Sequence, residues 1–192
     1  MAQILLFHHA QGLTSGIREF ANRLRHAGHI VHVPDLYEGR VFDDLDKGVA
    51  YAQEIGFDSI IERGIKAAEG LPRELVFSGF SIGVLPAQKL AQTRAGAIGA
   101  LFFHSCVPYS EFGPAWPNGV RGQIHGMDRD KLFVDEGDLN AAQAIVETTE
   151  EVELFLYPGE KHLFADNSLA SYDEGAAALL TKRVLGFLNE LG

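Results

Sequence analysis

One serine, one histidine and a group of aspartates are spaced along this chain as a nucleophile, a base and an orienting acid would be. Ser81 lies in Gly79-Phe80-Ser81-Ile82-Gly83, after the β-rich run ending at Ser78 and ahead of a helix-like segment. A serine in that context sits on a sharp strand-to-helix turn. Small flanking residues are needed there because the backbone passes close to itself at costly angles. The turn exposes the hydroxyl at a helix N-terminus, where backbone N–H groups can meet a developing anion. A purely structural tight turn could use the same glycines, so the motif takes its meaning from the rest of the chain.

A serine hydroxyl is a weak nucleophile at neutral pH. It needs a base for its proton, and the base needs a partner to hold its tautomer. His162 is the candidate base, because it follows the last strand through the short loop Tyr157-Pro158-Gly159-Glu160-Lys161. Asp128, Asp130 and Asp135 all follow the fifth strand. Only an acid soon after the strand end can reach the histidine, which disfavours Asp135 and leaves Asp130 first and Asp128 second. Either could instead be a solvated loop carboxylate or a helix cap. An oxyanion needs two backbone donors. The N–H of Ile82 is one, and the loop His8-His9-Ala10-Gln11-Gly12 after the first strand supplies the other. Ala10 is the candidate there, since its small side chain leaves room for a substrate oxygen.

His8 and His9 do not read as a metal pair. Neighbours on an extended segment point to opposite sides, and no acidic or cysteine partner stands at ligand spacing. One is expected to be a structural hydrogen-bonder and the other, His9, to line a pocket. Tyr37 and Trp116 lie in post-strand loops and are candidate pocket walls. Cys106 has no elbow around it and reads as a buried, inert thiol.

These residues must be positioned by a layered fold. Short apolar runs at Ile4–His8, Ile30–Val33, Glu74–Ser78, Ala97–His104, Gly122–His125 and Val152–Leu156 read as strands buried on both faces. Helical patterns alternate with them at Gly16–Ala27, Asp58–Glu69, Ile82–Thr93, Leu139–Thr148 and Tyr172–Leu191, with Asp138 as an N-cap of the fourth. The acidic segment Tyr37–Phe57 reads as a loop with one short helix. Alternating strands and helices imply a mostly parallel α/β sheet, whose chemistry lies at the strands' carboxyl ends. The order Ser…Asp…His is that of α/β-hydrolases.

The chain has 192 residues, 46% hydrophobic and 22% charged, with a net charge of −10. That length predicts one domain over residues 1–192, able to bury roughly 70% of its unfolded surface. The negative balance argues against nucleic acid or an anionic membrane as partner. A single cysteine excludes an internal disulfide and fits a reducing compartment. Met1-Ala2-Gln3 shows no basic n-region, and no apolar run approaches a membrane span, so a cytoplasmic location is expected.

Taken together, the chain resembles the dienelactone hydrolase family. The resemblance is carried by Pro34-Asp35-Leu36-Tyr37, the Gly79–Gly83 motif, His125 to Phe133, Tyr157-Pro158-Gly159 with His162-Leu163-Phe164, and Arg183-Val184-Leu185-Gly186-Phe187-Leu188. It implies a compact α/β-hydrolase fold of about six strands, without the antiparallel strands that lead many such folds. It also implies Ser81, Asp130 and His162 as a triad, with Ala10 and Ile82 as oxyanion donors. Arg183 would pair with a substrate carboxylate, as its counterpart does in the family. The founding members carry cysteine where this chain has Ser81, and glutamate where it has His9. The two changes are mutually consistent, and they point away from dienelactone itself.

The function this implies is hydrolysis of a small ester or lactone through an acyl-enzyme, with no cofactor and no metal. A thioesterase or acyltransferase would use the same triad. A non-catalytic ligand-binding protein of the same fold is the alternative from another class. A homodimer is left open.

Overall fold

A computed structural model describes residues 1–192. Six strands form one sheet: β1 Gln3–Phe7, β2 Ile30–His32, β3 Leu75–Phe80, β4 Ala97–Phe103, β5 Arg121–Met127 and β6 Val152–Tyr157. Their order is β2-β1-β3-β4-β5-β6, and every neighbouring pair is parallel. The chain starts inside the sheet, steps out to β2, then returns across β1 to build the other side. The strand order therefore reverses beside β1 and β3, the place where open α/β sheets carry their sites.

Seven helices cover the sheet: α1 Ser15–His26, α2 Leu45–Ile55, α3 Phe57–Ala67, α4 Val84–Thr93, α5 Lys131–Asp135, α6 Asp138–Thr148 and α7 Glu174–Leu191. Side-chain alternation along the strands divides the core. Leu5, Phe7, Phe77 and Phe102 face a cluster with Ala52 of α2, Ile60 of α3, Val84 and Ala87 of α4, and Ile145 of α6. Ile4, Leu6, Val76 and Phe103 face the other way, onto Ile17 and Phe20 of α1 and Leu180, Val184 and Phe187 of α7. Each fully buried phenylalanine among them contributes about 2–3 kcal/mol. The strands are hydrophobic throughout because helices close both faces.

Two local readings are sharpened and one is corrected. The segment before residue 57 holds an eleven-residue helix, α2, started by the Asp44 carboxylate accepting the Lys47 N–H at 3.1 Å. The short helix α5 follows β5 and is capped by Asp130, the helix-cap alternative left open for that residue. Asp138 is the first residue of α6 rather than its cap; Gly137 holds the cap position at φ 101°. No helix is long and apolar enough to cross a membrane.

Candidate active site

β3 delivers Ser81 to the carboxyl edge of the sheet. Ser81 has φ 49°, a left-handed conformation that serine adopts only under constraint, and residues 81–83 form a tight 3-10 turn leading into α4. Both glycines are required by contact. A Cβ on Gly79 would collide with the Gly83 carbonyl, and one on Gly83 would stand 2.5 Å from the His8 oxygen. The turn therefore closes directly against the end of β1 and the loop that follows it.

His162 comes from the loop after β6. Its Nε2 lies 3.0 Å from Ser81 Oγ and its Nδ1 lies 2.6 Å from Asp130 Oδ2. With the Nδ1 proton donated to Asp130, Nε2 presents its lone pair to the serine hydroxyl. The carboxylate is almost fully enclosed and the imidazole is 11% exposed. Asp130 Oδ1 accepts the Leu132 N–H at 3.1 Å, so the acid is at once the histidine's partner and the cap of α5. Asp128 does not reach His162. Its Oδ1 accepts the Gly159 N–H at 3.0 Å, and the Arg129 N–H bonds the Gly159 carbonyl at 2.9 Å. These bonds pin the histidine loop to the aspartate loop.

The Ala10 N–H has no acceptor in the protein, and its carbonyl lies against Gly48 of α2. Ile82 borders a cleft of about 450 Å³ together with Ser81, His162, Leu85, Phe57 and Leu132.

The four expected pocket residues do not line this cleft. His9 is fully buried: its Nε2 donates to Asp166 at 2.8 Å and its Nδ1 accepts the Gln11 N–H, leaving no ring nitrogen for a ligand. Tyr37 is fully buried among His8, Phe42 and Tyr51, beneath α2. Trp116 folds back onto Phe102, its indole N–H donating to the Val120 carbonyl at 2.7 Å. Arg183 stands over the rings of β6, its guanidinium 4.4 Å from the Phe155 ring centre and 5.1 Å from that of Tyr157. It is a packing cation and offers no carboxylate site in the cleft. His8 is structural as well. Its Nδ1–H donates to the His9 carbonyl and its Nε2 accepts the Leu36 N–H, and burial lowers its pKa to about 4. Burial pushes the Cys106 thiol well up, as befits an inert core residue.

Three residues carry weight that sequence reasoning did not assign. Asp166 accepts hydrogen bonds from His9, from Thr14 at 2.5 Å and from the Ser168 hydroxyl at 2.6 Å. Burial alone would raise its pKa, but these bonds hold it at about 2. His104 directly follows β4 in the left-handed region at φ 66°, its ring centre 5.8 Å from that of His162, with neither ring nitrogen bonded. Burial, reinforced by the neighbouring histidines, keeps it neutral. Asp138 accepts the Cys106 N–H at 3.2 Å on the cleft wall, and burial raises its carboxyl above the ordinary range. Only the fold brings His104 and Asp138 to the cleft and Asp166 to the back of the loop after β1.

No curated relative matches the sequence. Among solved structures, a dienelactone hydrolase-like promiscuous phosphotriesterase from metagenomic libraries is similar at a TM-score of 0.78 and 20% identity, the match covering 100% of this chain and 87% of that one. Esterase 2 of Thermogutta terrifontis is similar at 0.64 and 18%, covering 100% and 84%. The same esterase phosphorylated by paraoxon gives 0.65 and 18%, covering 100% and 83%. At these identities the likeness is one of fold. The model of the dienelactone hydrolase family matches residues 1–192, the full length described here, and the chain belongs to that family.

Proposed function

We propose that this protein hydrolyses a small carboxylic ester or lactone with Ser81 as nucleophile. The observation that carries the reading is the row Asp130–His162–Ser81, at 2.6 and 3.0 Å, on the wall of an open cleft. His162 Nε2 takes the hydroxyl proton as Ser81 Oγ bonds to the carbonyl carbon. Asp130 holds the Nδ1 proton in place and stabilises the imidazolium that forms. The carbonyl oxygen becomes an anion facing the N–H groups of Ile82 and Ala10, each worth about 3 kcal/mol of barrier. The carbon–oxygen bond to the alcohol breaks as His162 returns the proton to it. Water, deprotonated by the same histidine, then releases the acid and restores the serine.

The test is covalent trapping. Paraoxon phosphorylates the Thermogutta terrifontis esterase, and here it is expected to place its phosphoryl group on Ser81 Oγ with release of 4-nitrophenolate. Mass spectrometry of the digested protein should find one adduct, on the peptide holding Ser81, and Ser81→Ala should take none. Hydrolysis of 4-nitrophenyl acetate should disappear in the same variant. A folded Ser81→Ala that keeps full activity overturns the reading.

A further inference from the structure

The ionisable side chains lining the Ser81 cleft, apart from the two histidines, are Asp46, Glu136 and Asp138; no lysine or arginine lines it. Two of the three have a structural reason to be acidic. Asp46 lies in the first turn of α2 and Asp138 in the first turn of α6, where a carboxylate complements the helix dipole. Glu136 has no such reason. It closes α5, its carboxylate makes no ion pair, and it is exposed at the cleft. Lys47 and Lys131 are sequence neighbours of Asp46 and Leu132 but do not line the cleft, and Lys47 is paired with Asp43 at 3.0 Å. Lys89 lines an adjoining hollow with Phe57, Leu85, Asp58 and Glu111 and stands over the Phe112 ring.

A second observation points to a bound group in the same cleft. His104 is fully buried, borders the cleft, and leaves both ring nitrogens unbonded in the protein. A neutral imidazole in that state costs stability unless a ligand or solvent supplies its partner. It can offer one donor and one acceptor and adds no positive charge.

On the reading that Ser81 is the nucleophile of an ester hydrolase, we infer that the cleft selects by charge: it accepts neutral esters and those bearing an ammonium group, and rejects carboxylate-bearing ones. This reverses the preference that a substrate-facing Arg183 would impose, and Arg183 is turned onto Phe155 on β6. Like charges across a half-open cleft raise the free energy of an anionic guest, and a quaternary ammonium gains what the anion loses. The same wall serves the product side. Hydrolysis of a neutral ester creates a carboxylate within the cleft, and Asp46, Glu136 and Asp138 drive it out.

The experiment compares three thioacetates of similar shape: acetylthiocholine, its neutral 3,3-dimethylbutyl isostere, and S-acetyl-3-mercaptopropionate. A thiol reagent reports all three. At ~0.01 M salt the kcat/KM values should fall in the order cation, neutral, anion, with ~10-fold or more between the ends; at ~1 M salt, where screening is short-ranged, the spread should shrink. In Asp46→Asn/Glu136→Gln the cation-to-anion ratio should fall toward one. Equal values for all three, preference for the anion, or a ratio untouched by the double variant overturns the inference. Absence of Ser81-dependent hydrolysis of the neutral thioester strikes the hydrolase reading instead. Charge selection is then decided on Ser81→Ala by equilibrium binding of hexyltrimethylammonium against heptanoate. Tighter binding of the cation supports it, and equal or tighter binding of the anion refutes it.

Discussion

His9 and Asp166, 157 positions apart in the chain, meet at 2.8 Å between Nε2 and Oδ2, both fully buried. Because His9 Nδ1 accepts the Gln11 N–H, its tautomer is set and Nε2 must be the donor. Asp166 also holds Thr14, the cap of α1, so one carboxylate ties the loop after β1 to the helix that follows it. The loop that carries the Ala10 N–H is thus held from behind by a group in the histidine-bearing segment.

Removing that carboxylate should loosen the loop. Asp166→Ala leaves His9 and Thr14 without their acceptor and should cost about 2–4 kcal/mol in urea unfolding. Because the folded-state pKa is depressed to about 2, the carboxylate's contribution is fully present above its ordinary value of 3.8 and disappears as pH falls from there toward 2. The shift corresponds to about 2 kcal/mol. Wild-type stability should therefore fall across that window more steeply than that of Asp166→Asn; parallel curves would refute the assignment.

Buried neutral histidines give a second, higher window. Burial lowers His8 to about 4 and His125 to about 3, from 6.5. His125 is held by Tyr157 on one ring nitrogen and Gln123 on the other. The unfolded chain takes up these protons near pH 6.5 while the folded chain does not. Stability is thus full above 6.5 and is lost as pH falls toward the folded values, by about 1.4 kcal/mol per pH unit for each histidine. Urea midpoints between pH 7 and 5 should fall accordingly, and His125→Gln should remove about one proton from the slope. A midpoint independent of pH over that range contradicts the burial of these imidazoles.

Parts of this architecture are legible because their signals are local. Strand β3 and the Ser81 turn are encoded within about ten residues, where an apolar run meets glycines at fixed offsets. Helix α2 was legible only as one short helix somewhere in an acidic loop, because the acids at 43, 44 and 46 suit a solvated segment as well as a helix start, where Asp44 is the cap. Arg183 shows a different limit. The repeat Leu180, Val184, Phe187 marks the buried face of α7, and residue 183 lies at its margin, where an arginine can lie along aromatic rings as readily as reach a ligand. Asp166 had no signal at all, since its meaning depends on a partner from the other end of the chain.

The two candidate acids should separate cleanly. Asp130→Asn keeps the shape but loses the charge that orients the Nδ1 proton of His162, and should lower kcat by about 10³–10⁴-fold. Its lost strength as the cap of α5 should cost no more than about 1 kcal/mol. Asp128→Asn still offers an oxygen to the Gly159 N–H, so its effect on kcat should stay below about tenfold. Steady-state kinetics with 4-nitrophenyl acetate decide this, and a larger loss in Asp128→Asn would reassign the acid.

The glycines of the serine turn should be among the least replaceable small residues in the chain. Gly79 faces the Gly83 backbone, and Gly83 faces the backbone oxygens of His8 and Phe7 at 2.5 and 2.7 Å from an added Cβ. No side chain can rotate away, so relief requires moving β1, β3 or α4, all central to the core. Gly79→Ala and Gly83→Ala should each cost more than about 3 kcal/mol or prevent folding, well beyond an ordinary overpacking penalty. Gly186 is the internal control. It is exposed on α7 with open space where a Cβ would stand, so Gly186→Ala should stabilise by about 0.5–1 kcal/mol. Thermal unfolding of the three variants side by side tests the claim that close backbone approach, rather than glycine flexibility as such, holds Ser81 at its left-handed angle.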